Sequence, residues 1–264
     1  YRKDGGLTGT FTDYALAAPL MAGYEENKDM DVLMLGVGAG TYATQCRQYF
    51  GDIRVEGVEI DEKITRLASS FFHMPQDVPV TNYDGRAFLN VTDKKYDVIF
   101  VDAYQDITIP FQMSSVEFFE LVSGHLTENG VMVVNLNMWE QKEGDINAHL
   151  MDTISQVFDN VYTADVPATT NLELFASHAG GIQERFEGSL GSIKDPELQN
   201  LMRKIARSLK TYEAGGHIMT DDKAPVELLG MGVIDDLIRQ EVSYYRNLYE
   251  QKGLRGLAEE LGIQ

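Results

Sequence analysis

From residue 31 onward the chain alternates between two periodicities. Apolar runs of strand length stand at 32–36, 53–60, 78–82, 96–102, 130–136, 160–166 and 171–177. Between them, apolar residues recur at helical spacing over about 41–50, 61–73, 85–90, 114–126 and 145–158. Strands that alternate with helices bury both faces of a parallel sheet under right-handed crossovers. The pattern therefore predicts an α/β fold: a doubly wound, mostly parallel, seven-stranded sheet. No helical segment separates the runs at 160–166 and 171–177, so a hairpin is expected to close the sheet. Residues 1–30 read as a lead-in segment with a short amphipathic helix near 12–23, and 31–180 as the α/β domain. Helical spacing alone continues over 192–210 and 225–262, which makes 181–264 a C-terminal helical extension.

Charge narrows the partners. The chain has 41 acidic and 22 basic residues, for a formal net charge of −19. Such a surface repels nucleic acid phosphates and anionic lipid headgroups and favours cationic ligands. Cys46 is the single cysteine, so no internal disulfide can form and a reducing, cytoplasmic location is expected. No apolar run reaches the length that spans a bilayer. The sequence opens at Tyr1 in mid-pattern, as expected for a piece of a longer protein.

Four sites stand at the ends of successive strands. In "DVLMLGVGAGTYATQ" a strand runs into Gly36, and Gly38 and Gly40 follow before a helix begins. Glycines let the backbone turn sharply and approach a ligand, and the helix N-terminus behind them offers free N–H groups. The dinucleotide fingerprint wants a glycine at position 41, where Thr41 stands, so the turn fits a nucleoside ligand without a pyrophosphate. In "VEGVEID", Glu59 ends the second strand at the offset where an acid grips ribose hydroxyls, and Asp61 reads as a helix N-cap. In "TNYDGRAFL", Asp84-Gly85 follows the third strand. Asp84 there either receives an adenine amino group or caps the next helix. Finally, "YDVIFVDAYQD" carries a strand buried on both faces straight into Asp102, with Tyr104 and Gln105 beyond it. All four lie on the carboxyl edge of the sheet, where open α/β folds bind ligands, and three carboxylates there suit a positively charged one.

Other groups suggest less. His73, His125, His149, His178 and His217 show no metal-ligand spacing, so no metal is expected. No serine nucleophile elbow is present, and Trp139 stands alone. "TDDKAPVELLG" at 220–230 reads as a helix start with Pro225 in its first turn, with a functional role for Asp221 or Asp222 as second choice.

Taken in order, "VLMLGVGAGTYATQ", "VEGVEIDEKITRLASSFF", "YDGRAFL", "YDVIFVDAY", "FFELVSGHLTENGVMVVN" and "VFDNVYTADVP" resemble the spermidine synthases, the polyamine aminopropyltransferases, over roughly residues 30–167. "TGTFTDYALAAPLM" and "TDDKAPVELLG" are most similar to a branch in which this domain follows a membrane-spanning, transporter-like segment. The resemblance implies the Rossmann-like fold of S-adenosylmethionine methyltransferases and a small amine as substrate. It also implies a homodimer and, in the longer chain, a tether to the inner face of a membrane. It implies that Glu59 holds the ribose of decarboxylated S-adenosylmethionine or methylthioadenosine, and that Asp84 with Gly85 meets the adenine. Gly36, Gly38 and Gly40 would line the sulfonium end. Asp102, with Tyr104 and Gln105, would meet the acceptor amine, Asp102 taking its proton. Three departures stand out. The family's second acid, in Asp-x-x-Asp, is Gln105 here, with Asp106 next to it. "ATTN" follows Pro167 where a tyrosine is usual, and the amino-terminal hairpin is absent. The expected reaction is aminopropyl transfer. The alternatives are methyl transfer from S-adenosylmethionine, or a non-catalytic domain that binds a polyamine or nucleoside and is attached to a transporter.

Overall fold

The computed structural model describes residues 2–51, 53–103, 110–137, 145–226 and 242–253, together with residues 229, 239 and 260. Strands form at each expected apolar run: β1 (Asp31–Leu35), β2 (Arg54–Glu59), β3 (Val80–Asn82), β4 (Tyr96–Val101), β5 (Leu126–Asn137), β6 (Asn160–Asp165) and β7 (Asn171–Ser177). An eighth, β8 (Lys210–Thr211), completes one sheet of order β3-β2-β1-β4-β5-β7-β6-β8. The first five strands in that order are mutually parallel, and β7 runs antiparallel between β5 and β6. The β6–β7 hairpin thus closes the sheet by folding its second strand inward.

The helices in chain order are α1 (Phe11–Ala15), α2 (Ala17–Met21), α3 (Thr41–Phe50), α4 (Glu62–Phe71), α5 (Gly85–Val91), α6 (Val116–Gly124), α7 (Ile146–Val157), α8 (Ile182–Ser189) and α9 (Pro196–Ser208). Three departures from the expected ranges stand out, the first being α8, which forms where no helix was expected. The lead-in helix is split in two at Leu16. Pro19 has no N–H to give the carbonyl of Ala15, which breaks the ladder there. The helix expected to reach residue 210 ends at Leu209, whose ψ of 129° is extended. Lys210 and Thr211 then pair with Thr163 and Tyr162, capping what would be an open sheet edge. Among the described residues, 242–253 are helical, as expected.

Side chains alternate between two cores, one on each face of the sheet. Val32, Met34, Val98, Phe100, Val131, Val133 and Phe175 pack under α1, α2, α3, α8 and α9. Leu33, Leu35, Ile99, Val101, Met132, Val134 and Leu174 pack under α5, α6 and α7. β4 is apolar throughout because it is covered on both sides.

One buried acid ties the C-terminal part to the sheet. Asp152 of α7 is 1 % exposed and accepts from the Tyr212 hydroxyl (2.7 Å), the N–H groups of Gly215 (2.7 Å) and His217 (2.8 Å), and His217 Nδ1 (2.9 Å). Burial pushes this carboxyl upward, but its donors outweigh burial and hold it below the usual carboxylate range. Its stabilisation is therefore present above the ordinary carboxyl range and lost as pH falls through and below it. Asp152→Ala would leave two backbone N–H groups and a hydroxyl, all part-buried by their contact with it, without that acceptor. The expected cost is about 3 kcal/mol, checked by urea unfolding.

Candidate functional site

The strand register sets the site. Leu35 pairs with Val58 on one side and Val101 on the other, Val101 pairs with Val134, and Asn135 pairs with Glu173. One residue further along each parallel strand stand Glu59, Gly36, Asp102 and Asn135. With Glu173 they form a single row across β2, β1, β4, β5 and β7. The residues two positions along, Met34, Phe100, Val133 and Phe175, all belong to the core under α3, so the row shares that face.

At one end, Glu59 is 7 % exposed and its carboxylate holds the glycine turn: Oε2 accepts from the N–H groups of Val37 (3.1 Å) and Gly38 (3.3 Å), and Oε1 from Asp61 (3.1 Å). Each oxygen accepts more than one bond, so Oε1 retains capacity for a ligand hydroxyl. Gly36 has φ of +93°, and a Cβ there would lie 2.4 Å from the carbonyl oxygen of Asp102. The turn thus brings two strand ends closer than any side chain allows. Gly40 has a different reason to be glycine: it stands at φ +73° over Met74, whose Cγ a Cβ would meet at 2.5 Å, and it does not line the cleft.

Asp102 ends β4 as expected. Its Oδ1 accepts from Asn135 Nδ2 (3.2 Å), and Asn135 Oδ1 accepts in turn from Asn171 Nδ2 (2.8 Å). Burial raises this carboxyl to about 7, the Asn135 bond opposes the rise and the negative Glu59 adds to it. Asp61 caps α4 by accepting from Lys63 N–H (2.7 Å). Asp84 caps α5 through Ala87 N–H (2.8 Å) and at the same time faces the cleft, so its two readings are compatible. Tyr104 and Gln105 lie outside the described residues.

These groups border a cleft of about 580 Å³. Gly36, Gly38, Glu59, Asp84, Gly85 and Asp102 line it together, so the structure gathers the expected residues from four strand ends. Its walls include Ile60, Ile64, Met113 and Val226, and Ile60, Tyr83 and Phe111 are exposed at its rim. Bare apolar side chains around a concave, acid-edged slot suit a flat heterocycle.

The 220–230 motif acts behind this wall. Asp221 takes both Nη atoms of Arg86 (2.7 and 2.6 Å) and the Ser115 hydroxyl (2.5 Å), while Arg86 Nη1 also donates to the Gln112 carbonyl (3.0 Å). Arg86 beside it holds the Asp221 carboxyl below its usual range. The clasp fixes residues 112–115 and leads the chain to Val226 at the cleft. Asp221→Asn is expected to cost about 1 kcal/mol in this part-exposed setting and to loosen nucleoside binding, which urea unfolding and calorimetry check.

Residues 18–180 match the model of the spermine/spermidine synthase domain, well over half of the chain. The chain belongs to that family. It is 48% identical to a probable polyamine aminopropyl transferase of Bifidobacterium longum (strain NCC 2705), covering 97% of this chain and 60% of the relative. The chain therefore spans about three fifths of that relative's length. Among solved structures, human Methyltransferase-like protein 13 in complex with SAH matches with a TM-score of 0.59 at 19% identity, over 77% of this chain and 95% of that one. A spermidine synthase in complex with the transition state analogue AdoDATO matches with a TM-score of 0.57 at 16% identity, over 75% of this chain and 74% of that one. At these identities the structural matches establish the Rossmann-like fold that the two kinds of protein share.

Four residues of the cleft and its row carry no assignment from sequence alone. Ile60 and Phe111 carry no signal in a single sequence, since an exposed apolar residue is common. Asn135 and Glu173 did leave a trace: each interrupts an apolar strand, in "VMVVNLN" and "NLELFAS". A polar residue inside such a run is informative because it must be satisfied or used.

Proposed function

We propose that this chain transfers an aminopropyl group from decarboxylated S-adenosylmethionine to a di- or polyamine. The observation that carries the reading is the sign of the cleft: Glu59, Asp84 and Asp102 line it, and among its described lining residues there is no Lys, Arg or His. S-adenosylmethionine carries a carboxylate that such a lining disfavours. Its decarboxylated form ends in an ammonium and suits it. Membership of the family and the name of the Bifidobacterium relative support the same reaction.

In this reading Glu59 holds the ribose, Asp84 and Gly85 border the adenine, and the Gly36–Gly38 turn meets the sulfonium. Asp102 orients the acceptor amine and takes its proton. The nitrogen lone pair then forms a C–N bond with the carbon beside sulfur. The C–S bond breaks, and its electrons leave on a neutral thioether. Holding two cations close and aligned is the main task, and the carboxylates offset their repulsion. A carboxyl near 7 is matched to accepting a proton at neutral pH. Turnover is accordingly expected to rise with pH through about 7, measured as a pH–rate profile at saturating nucleoside.

The proposal extends to a homodimer and, in a longer chain, to a tether on the inner face of a membrane. The exposed apolar side chains Leu67 and Phe71, one turn apart on α4, support pairing, and the Bifidobacterium relative leaves room for a further segment, since this chain covers 60% of it. Among the described residues no helix is long and apolar enough to cross a membrane. Mass spectrometry of products from decarboxylated S-adenosylmethionine with putrescine or spermidine tests the reaction. A propylamine adduct is expected; its absence with every amine, or a methylated product from S-adenosylmethionine, would overturn the reading.

A further inference from the structure

Glu173 is the least expected member of the row. It is 0 % exposed, and among the described residues neither carboxyl oxygen has a hydrogen-bond partner. An apolar residue would pack into the core under α3 without that penalty, as Phe175 does two positions on. The group also sits at a particular place. Glu173 pairs across the strands with Asn135, whose amide donates to Asp102. Asp102 and Glu173 thus occupy one level and one face of the sheet, two strands or about 10 Å apart along the backbone. Glu59 lies the same number of strands beyond Asp102 on the other side.

We propose that Glu173 is the second acid of the acceptor site and binds an ammonium group of the incoming amine, beside Asp102. The inference rests on the aminopropyl-transfer reading for the identity of that site. It accounts for a carboxyl kept buried without a partner: the partner is the substrate. It also supplies a negative charge in a chain whose sequence has Gln105 where the family's second acid is usual. Among the described residues, the ionisable groups whose charge acts with that of Glu173 are Asp102 on β4 and Tyr42 on α3. Burial first, then the charge of Asp102, raises the Glu173 carboxyl well above its ordinary range. When the ammonium arrives, Glu173 gives its proton to solvent and becomes its counterion, so one positive charge enters as another leaves.

The test is calorimetric titration of putrescine into the chain saturated with methylthioadenosine, in two buffers of different ionisation enthalpy. Wild type is expected to release a proton on binding. Glu173→Gln, which matches the neutral resting group in shape, is expected to bind putrescine about 10-fold more weakly and to lose that release. Its methylthioadenosine affinity should be unchanged. Glu173→Asp, which keeps the acid, is expected to recover the proton release and guards against loss of fold in the amide. Unchanged putrescine affinity and unchanged proton release in Glu173→Gln would overturn the inference, as would a wild type that binds no amine. Wild type that binds putrescine with Glu173-linked proton release but forms no adduct would sink the transfer reading alone. Adduct formed equally by wild type and Glu173→Gln, at equal amine KM, would sink only the role given to Glu173.

Discussion

Asp102→Asn is expected to lower the rate of aminopropyl transfer by about 10³-fold while leaving methylthioadenosine affinity within about twofold. Two facts lead there. The side chain stands at the end of β4 in the acid-lined cleft, and burial raises its carboxyl to about 7. Asparagine keeps the shape but cannot take the amine's proton. The same substitution has an opposite effect on stability. A carboxyl whose folded pKa is raised stabilises the fold below its unfolded value, near 4, and that stabilisation is lost as pH rises through about 7. At pH 8 the wild type therefore carries the cost of a buried charge, and Asp102→Asn does not. The variant is expected to be more stable there by on the order of 2–4 kcal/mol, with the difference vanishing toward pH 4. Urea unfolding at the two pH values checks it. A less active and also less stable variant at pH 8 would mean that Asp102 is structural.

Gly36→Ala is expected to have the largest effect on the fold of any single change in the cleft. The added methyl would stand 2.4 Å from the Asp102 carbonyl oxygen and 2.8 Å from its carbon, both backbone atoms that cannot rotate away. The residue is also at φ +93°, which L side chains rarely adopt. Strain and clash together imply a loss of about 3 kcal/mol or more, and β1 and β4 can separate only by breaking the row that carries Asp102. Nucleoside affinity should fall with stability, in contrast to Asp102→Asn. Gly38→Ala separates the two causes: it shares a positive φ, +54°, but no atom lies within 4 Å of its Cβ position, so only the backbone strain of about 1 kcal/mol is expected.

The order of strands and helices was legible because burial on both faces leaves unbroken apolar runs, and Asp102 was legible because it ends one. The glycine turn and Glu59 could be read for the same reason, as residues that break the pattern at strand ends. β8 was not legible: two residues that complete a sheet edge carry no periodicity. The union of Glu59, Gly36, Asp102, Asn135 and Glu173 into one row depends on the order β2-β1-β4-β5-β7, which crossover topology sets and local sequence does not. Asp221 read as a helix start; its bond to Arg86, 135 positions away, could be found only in three dimensions.

The most direct measurement is paired calorimetric titration with decarboxylated S-adenosylmethionine and S-adenosylmethionine at pH 7.5. A cleft lined by Glu59, Asp84 and Asp102 should bind the decarboxylated form at least about 10-fold more tightly, and raised salt should narrow the gap. Equal affinity, or tighter binding of the carboxylate-bearing form, would contradict the account.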